Sequence, residues 1–143
     1  MKVHSKANWE GSFKEGTGYI HSGRGAYHLD YTYKGRVGDA STTNPEELIS
    51  SAHAACFAMA LRFTLEKENI NVNQIEVTCE IEAQELKVTS SHLIAFIESK
   101  NDREKIQRAA EEASNNCPIS VLLNCPTTLE VKFSEGQDVR SYS

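Results

Sequence analysis

The stretch NPEELISSAHAACFAMALRF, residues 44–63, decides the fold of this chain. Asn44 is a favourable helix N-cap, Pro45 suits the first helical position, and Glu47 completes an arrangement like a capping box. From Leu48 to Leu61, apolar and small residues lie all round the helix, which is typical of a buried helix. The stretch therefore predicts a long central helix packed inside the protein.

Cys56 lies in the middle of this helix, and its surroundings allow two interpretations. Free cysteine is among the most buried residue types, and its small apolar neighbours fit a packed core. An alanine or valine would pack there without the risk of oxidation, which favours a reactive thiol. The residues alone favour core packing and leave both interpretations open.

Length and composition limit the class of protein. The 143 residues, 39% of them hydrophobic, fit one domain, and we expect a single domain over 1–143 with a loose tail from about residue 136. The net charge of -5, without a basic patch, argues against nucleic acid as partner. We expect neither a membrane span nor a signal peptide, and hence a cytoplasmic protein. No CxxC pair indicates zinc, and structural disulfides are not expected in that compartment.

The segments around the helix predict an α+β fold. Before it, KVHSKANWE, GTGYIHSGRG and AYHLDYTYK read as three strands, the last with Tyr27, Leu29, Tyr31 and Tyr33 on one face, and GRVGDASTT reads as a loop. After it, QIEVTCEIEAQEL and SHLIAFIESK predict a hairpin with one wet face. A helix capped by Asn101 or Asp102, a short helix with Pro118 first, and a closing strand TTLEVKFSE complete the order.

The other cysteines differ in their settings. Cys79 shares its strand phase with Ile75 and Val77, which predicts a buried core cysteine. Cys117 precedes a helix start, where backbone N–H groups stabilise a thiolate, and its polar segment predicts an accessible sulfur. An inert helix-end residue is an equally good interpretation. Cys125 is expected at a loop or strand edge.

The charged and histidine candidates each have a plain structural explanation. His53, three residues before Cys56, could be a base for the thiol, although a histidine satisfied by the backbone or at a subunit contact is the favoured interpretation. Helix capping explains Glu46 and Glu47, and Arg36 between glycines would ordinarily be solvated. No phosphate-binding loop, catalytic triad or HExxH motif is present.

Three motifs in consistent order resemble the osmotically inducible protein C and organic hydroperoxide resistance (OsmC/Ohr) family. GRVGDASTTNPEELISSAHAACFAMAL has an arginine eight residues before the helix start and then A-A-C-F. CPIS resembles the second cysteine motif of the family, and ANWEGSFKEGTG resembles the N-terminal strand pair of the OsmC branch. The resemblance extends from Ala7 to about Phe133.

The resemblance implies a thiol-dependent peroxidase that reduces organic hydroperoxides, and hydrogen peroxide less well. It makes Cys56 the peroxidatic cysteine and Cys117 the resolving cysteine. Arg36 matches the activating arginine of the OsmC branch, Glu46 the glutamate that pairs with it, and Glu47 the second acid of the motif. A redox sensor or small-ligand-binding protein on the same scaffold is the alternative.

The family also implies antiparallel sheets around a buried helix in an intertwined homodimer, with active sites at the interface. It implies reduction by a dithiol, lipoyl-type or another thiol, and no metal, flavin or haem. Thr42 stands where the motif usually has glycine, so the loop that holds Arg36 is expected to differ. Cys125 is an extra thiol that could compete with Cys117 as resolver.

Helix geometry predicts a site shared between two chains. Glu46 and Cys56 are ten residues apart, about 15 Å along a straight helix, and an arginine side chain reaches roughly half that distance. Arg36 can therefore hardly bridge both residues of one helix. Two central helices packed antiparallel would bring Cys56 of one chain to the Arg36–Glu46 pair of the other.

Overall fold

The computed structural model describes residues 1–38 and 41–134, and it has the predicted α+β architecture with two small sheets and a central helix. These residues form two compact units, one from Met1 to Leu48 and one that begins at Ile49. The prediction of a single domain stays a prediction, and the predicted loose tail lies outside the described residues. In chain order the elements are β1 Ser5–Ala7, β2 Gly18–Ser22, β3 His28–Tyr31, α1 Tyr33–Arg36, α2 Pro45–Lys67, β4 Gln74–Gln84, β5 Lys87–Glu98, α3 Arg103–Asn116, α4 Pro118–Leu122 and β6 Thr127–Ser134.

The first unit contains an antiparallel sheet in the order β1-β2-β3. Its third strand is shorter than the alternation of tyrosines predicts. Thr32 accepts a hydrogen bond from the N–H of Gly35 (2.9 Å) and so caps the short helix α1. Tyr33 therefore begins a helix and does not continue the strand, and the predicted loop after it begins inside α1.

Helix α2 begins as the sequence predicts, because the side chain of Asn44 accepts a hydrogen bond from the N–H of Glu47 (2.7 Å). It ends at Lys67, and Asn69 follows with a φ of 58°, a left-handed conformation that stops the helix.

The second unit contains a sheet in the order β4-β5-β6. The predicted hairpin is present, and β4 and β5 are antiparallel. Strand β6 instead pairs with β5 in parallel, so the expectation of purely antiparallel sheets is wrong. The reason is the long connection through α3 and α4, which returns the chain to the sheet in the same direction, as a helical crossover does.

The core of the second unit lies between its sheet, α2 and α3. Sheet residues that point inward and helix residues that face them are fully buried or nearly so. The principal members are Phe57, Leu61 and Leu65 of α2, Leu93, Ala95 and Ile97 of β5, and Ile106, Ala110 and Ala113 of α3.

One face of α2 is not covered in the single chain. Met59 is 75% exposed and Phe63 is 66% exposed, and Ala52 and Ala55 on the same side are also exposed. The prediction of a helix buried on every side is therefore wrong for one chain, because the elements of the second unit cover only the side that carries Phe57 and Leu61.

Helix α2 is also long and apolar enough to cross a membrane by length and composition alone, contrary to the sequence-based expectation. Core helices of soluble proteins meet the same criterion. Here α2 supplies three large side chains to the core of the second unit, so it is a core helix with one open face.

Candidate active site

In the first unit, Arg36 and Glu46 form an ion pair. The Arg36 Nη2 atom lies 2.5 Å from the Glu46 Oε2 atom, and both side chains are partly shielded from water. A charge-assisted hydrogen bond of this length restrains the position of the guanidinium. The second carboxylate oxygen, Glu46 Oε1, is buried and accepts no hydrogen bond from the described residues. It is therefore an open acceptor beside a fixed cation.

Hydrogen bonds at the corner between α1 and α2 hold this pair in place. The amide of Asn44 donates to the carbonyl of Gly35 (3.0 Å), and the hydroxyls of Thr32 and Thr42 lie 2.6 Å apart. Gly35 has no Cβ, and one built there would overlap Thr42 and Thr43. The unusual Thr42 is thus part of the structure that positions Arg36, because its hydroxyl contacts the cap of α1.

Glu47, the second acidic candidate, takes part in the start of α2. Its carboxylate accepts a hydrogen bond from the Thr43 hydroxyl (2.6 Å), and its N–H donates to Asn44. These two contacts are those of a residue near a helix N-terminus.

An apolar cleft of about 440 Å³ opens beside the Arg36 side chain. Two aromatic pairs form its walls, with ring centres 5.4 Å apart for Trp9 and Tyr31 and 4.8 Å apart for Phe13 and Tyr33. A cleft with apolar walls and one cationic group suits a ligand that has a hydrocarbon body and a polar end.

In the second unit, the thiols of Cys56 and Cys117 are neighbours. Burial raises the pKa of the Cys56 thiol, the N–H of Ile119 opposes this by donating a hydrogen bond to the sulfur, and the adjacent Cys117 raises the pKa again. Within one chain, Cys56 is a partly buried thiol whose pKa lies above its ordinary value.

Cys117 is 1% exposed, which corrects the expectation of an accessible sulfur. Its N–H completes the last turn of α3 by donating to Ala113 (2.9 Å), and its sulfur caps α4 by accepting from the N–H of Ser120 (3.4 Å). Because Cys117 joins two helices, its side chain faces the core despite its polar neighbours in sequence.

His53 is completely buried between two serine hydroxyls. Its Nδ1 atom lies 2.6 Å from the Ser91 Oγ atom, and its Nε2 atom lies 2.7 Å from the Ser120 Oγ atom. Burial lowers the pKa of His53 from its ordinary value, so the imidazole is neutral at pH 7. The favoured interpretation from sequence, a histidine satisfied by the backbone or a second subunit, is wrong, because side chains satisfy both nitrogens.

Ser91 and Ser120 are the polar residues that sequence reasoning missed. Ser91 occupies the inward phase of β5 with Leu93, Ala95 and Ile97, and a polar residue in such a phase signals a buried hydrogen bond. Ser120 gives no comparable signal. Cys79 packs against the core as predicted but is only partly buried, and its sulfur lies 3.2 Å from the Ser91 Oγ atom.

The profile of the family described as OsmC-like protein matches residues 38–132. The chain belongs to the OsmC-like protein family. Peroxiredoxin OsmC of Escherichia coli K12 is 32% identical over 143 residues, which cover 93% of this chain and 99% of the relative. Organic hydroperoxide resistance protein OhrB of Bacillus subtilis 168 is 31% identical over 126 residues, 80% of this chain and 89% of the relative.

Solved structures agree with this assignment. The crystal structure of Bacillus subtilis OhrB superposes with a TM-score of 0.68 at 27% identity, covering 90% of this chain and 98% of that chain. An organic hydroperoxide resistance protein OsmC from Legionella pneumophila superposes with a TM-score of 0.72 at 25% identity, covering 90% and 96%. The names of the relatives are those of peroxidase-type enzymes.

The described residues of this OsmC-like protein bring the sequence-predicted residues together as two pairs. Arg36 lies with Glu46 in the first unit, and Cys56 lies with Cys117 in the second. Among the residues 1–38 and 41–134, no group of three or more histidine, cysteine or acidic side chains is placed to hold a metal ion. The chemistry that this arrangement offers is that of two adjacent thiols.

Proposed function

We propose that this OsmC-like protein is a thiol-dependent peroxidase that reduces organic hydroperoxides to alcohols, and hydrogen peroxide less well. The observation that carries the proposal is the proximity of two free thiols, Cys56 and Cys117, which is close enough for Cys117 to raise the pKa of Cys56. The names of the relatives, a peroxiredoxin and an organic hydroperoxide resistance protein, support the same chemistry.

In the first step, the Cys56 thiolate attacks one oxygen of the hydroperoxide. A sulfur–oxygen bond forms, the oxygen–oxygen bond breaks, and the alkoxide leaves and takes a proton to become an alcohol. Cys56 is then a sulfenic acid. In the second step, the Cys117 sulfur attacks Cys56, a disulfide forms and water leaves. An external dithiol, lipoyl-type or another thiol, reduces the disulfide.

Arg36 stabilises the charge that develops on the leaving oxygen, and Glu46 holds the guanidinium in position. The 2.5 Å contact between the two side chains supports this role. The open Glu46 Oε1 atom supports it further, because a buried carboxylate oxygen is suited to accept the O–H of a hydroperoxide. Glu47 stabilises the start of the helix that carries Glu46.

The aromatic cleft beside Arg36 supports an organic substrate. Trp9, Phe13, Tyr31 and Tyr33 offer an apolar surface that hydrogen peroxide cannot use and a hydrocarbon group can. The preference for organic hydroperoxides follows from this difference in buried apolar area.

The active form is a homodimer in which Arg36 and Glu46 of one chain serve Cys56 of the other. The open apolar face of α2 supports a second chain packed there. The raised pKa of Cys56 also supports the need for a cation near this thiol in the active form. The four free thiols suit a reducing compartment, so we place the protein in the cytoplasm.

Steady-state turnover tests the proposal. Wild-type protein with cumene hydroperoxide and dihydrolipoamide should turn over many times, and Cys56→Ser should lose turnover while it keeps the far-UV circular dichroism of the wild type. Cys125→Ser is the matched control, because it also removes one thiol and should keep activity. Full activity in Cys56→Ser would refute the mechanism. Oxidation of Cys56 once per chain without turnover would favour a redox sensor.

A further inference from the structure

A row of hydrogen-bonded side chains leads from Cys117 into the core of the second unit. The Cys117 sulfur lies 3.1 Å from the Ser120 Oγ atom, which lies 2.7 Å from the His53 Nε2 atom. Beyond the imidazole, the His53 Nδ1 atom lies 2.6 Å from the Ser91 Oγ atom, and Ser91 lies 3.2 Å from the Cys79 sulfur.

One orientation of the hydrogen bonds along this row lets Cys117 lose a proton. A neutral imidazole has one donor and one acceptor nitrogen. In the tautomer protonated at Nδ1, His53 donates to Ser91, and its Nε2 atom accepts from the Ser120 hydroxyl. The oxygen of Ser120 then faces the Cys117 thiol and can accept its proton while it passes its own to His53. The N–H of Ser120, which already donates to the Cys117 sulfur, favours the resulting thiolate.

Cys117 needs such a route because it is 1% exposed. A thiolate is the attacking form in disulfide formation, and bulk water has little access to the thiol proton at this position. His53 is wholly buried but is connected to this sulfur through a single hydroxyl group.

We propose that His53, acting through the hydroxyl of Ser120, takes the proton of Cys117 as its sulfur attacks the Cys56 sulfenic acid. This inference rests on the proposed function. In the step, the sulfur–sulfur bond forms and the sulfur–oxygen bond breaks. The electron pair leaves with hydroxide, which becomes water on protonation, so the proton lost by Cys117 is balanced by the one gained by hydroxide. His53 acts through Ser120 and does not touch the reacting atoms, whereas the hydroxyl of Ser120 contacts the reacting thiol.

The state of His53 suits this role at neutral pH. Two titratable groups face it, the Cys79 thiol of β4 at 3.8 Å from Nδ1 and, through Ser120, the Cys117 thiol. Burial lowers the pKa of the imidazole, which keeps Nε2 free to accept a proton. A rate that depends on neutral His53 should fall when acid protonates the ring.

Ser120→Ala is the sharpest test, because it removes the hydroxyl and leaves the backbone donor to Cys117 in place. Stopped-flow mixing with cumene hydroperoxide separates sulfenic acid formation at Cys56 from disulfide formation. We expect the first rate to stay within about twofold and the second to fall by at least about tenfold, since general-base assistance contributes about 10² to 10⁴. Ser120→Thr retains a hydroxyl and should restore the second rate.

Ser114→Ala, a buried serine of α3, is the matched control and should leave both rates unchanged. In the wild type, the second rate should fall in acid, and Ser120→Ala should lose this dependence. A mutant that is merely less stable would not change the pH profile of one step alone. Disulfide formation at the wild-type rate in a folded Ser120→Ala variant would overturn the relay and leave the peroxidase intact. No reaction of the wild type with peroxide would overturn both.

Discussion

The open face of α2 gives a measurable test of the homodimer. Met59 and Phe63 are four residues apart, so they lie on one side of the helix, and they are 75% and 66% exposed. If a second chain covers this face, replacing both residues with serine should dissociate the dimer. The change should not disturb the core, because Phe57 and Leu61 point the other way and are fully buried.

The expected effect follows from the exposed fractions. Full burial of a large apolar side chain stabilises by about 1.5–3 kcal/mol, so covering two-thirds to three-quarters of each contributes roughly 1–2 kcal/mol. In a two-fold symmetric dimer each residue occurs twice, so the two residues together contribute roughly 4–8 kcal/mol to the free energy of dimerisation. The lower value corresponds to an increase of about 10³-fold in the dimer dissociation constant.

Sedimentation velocity over a range of concentrations, with peroxidase turnover measured on the same samples, checks this result. Leu86→Ser is the matched control, because Leu86 is 88% exposed but lies in the turn between β4 and β5. We expect the control to behave as wild type and the double variant to become a monomer with little turnover. A double variant that dimerises like wild type refutes the interface, and a fully active monomer refutes the shared active site.

Three further predictions follow from the proposed site. Cys117→Ser should react once with peroxide and then accumulate sulfenic or sulfinic acid at Cys56, detected by mass spectrometry; a Cys56–Cys125 disulfide in oxidised wild type would identify a different resolver. Arg36→Lys keeps the charge but loses the planar guanidinium that can donate to Glu46 and to the peroxide together, and should reduce cumene hydroperoxide turnover about 10²-fold, whereas the exposed Arg24→Lys should change nothing. Because burial lowers the pKa of His53 below 6.5, the unfolded chain binds that proton more readily. The contribution of His53 to the free energy of unfolding should therefore stay constant above pH 6.5 and decrease below it. A urea midpoint that rises at pH 5.5 would contradict this prediction.

The sequence predicts the elements of the fold well where local chemistry decides them. Asn44 and Pro45 predict the start of α2, and Pro118 predicts the start of α4. The parallel pairing of β5 with β6 could not be predicted in the same way, because strand direction depends on how the crossover through α3 and α4 returns to the sheet. The alternation of tyrosines in the sequence extends to Tyr33 and predicts a strand there, but Thr32 caps a short helix that begins at Tyr33.

In the candidate site too, local sequence predicts some residues and tertiary packing determines the others. Family motifs indicate Arg36, Glu46, Cys56 and Cys117, whereas the serine contacts of His53 depend on tertiary packing. Ser120 lies 67 residues from His53 in sequence, and no local pattern joins them. The burial of Cys117 was missed for a related reason, because a polar segment in sequence says nothing about the side on which its cap residue packs.

The raised pKa of Cys56 limits what burial alone can do for catalysis. Each unit of increase lowers the thiolate fraction at pH 7 about tenfold, while the nucleophilicity of the thiolate rises only about threefold for a Brønsted slope near 0.45. Burial in one chain therefore makes this thiol slower by about threefold for each unit. A fixed guanidinium offsets that loss twice, because it favours the thiolate and stabilises the oxygen that leaves. In the proposed active site, the paired and partly shielded Arg36 meets this need by bringing its guanidinium to the Cys56 sulfur.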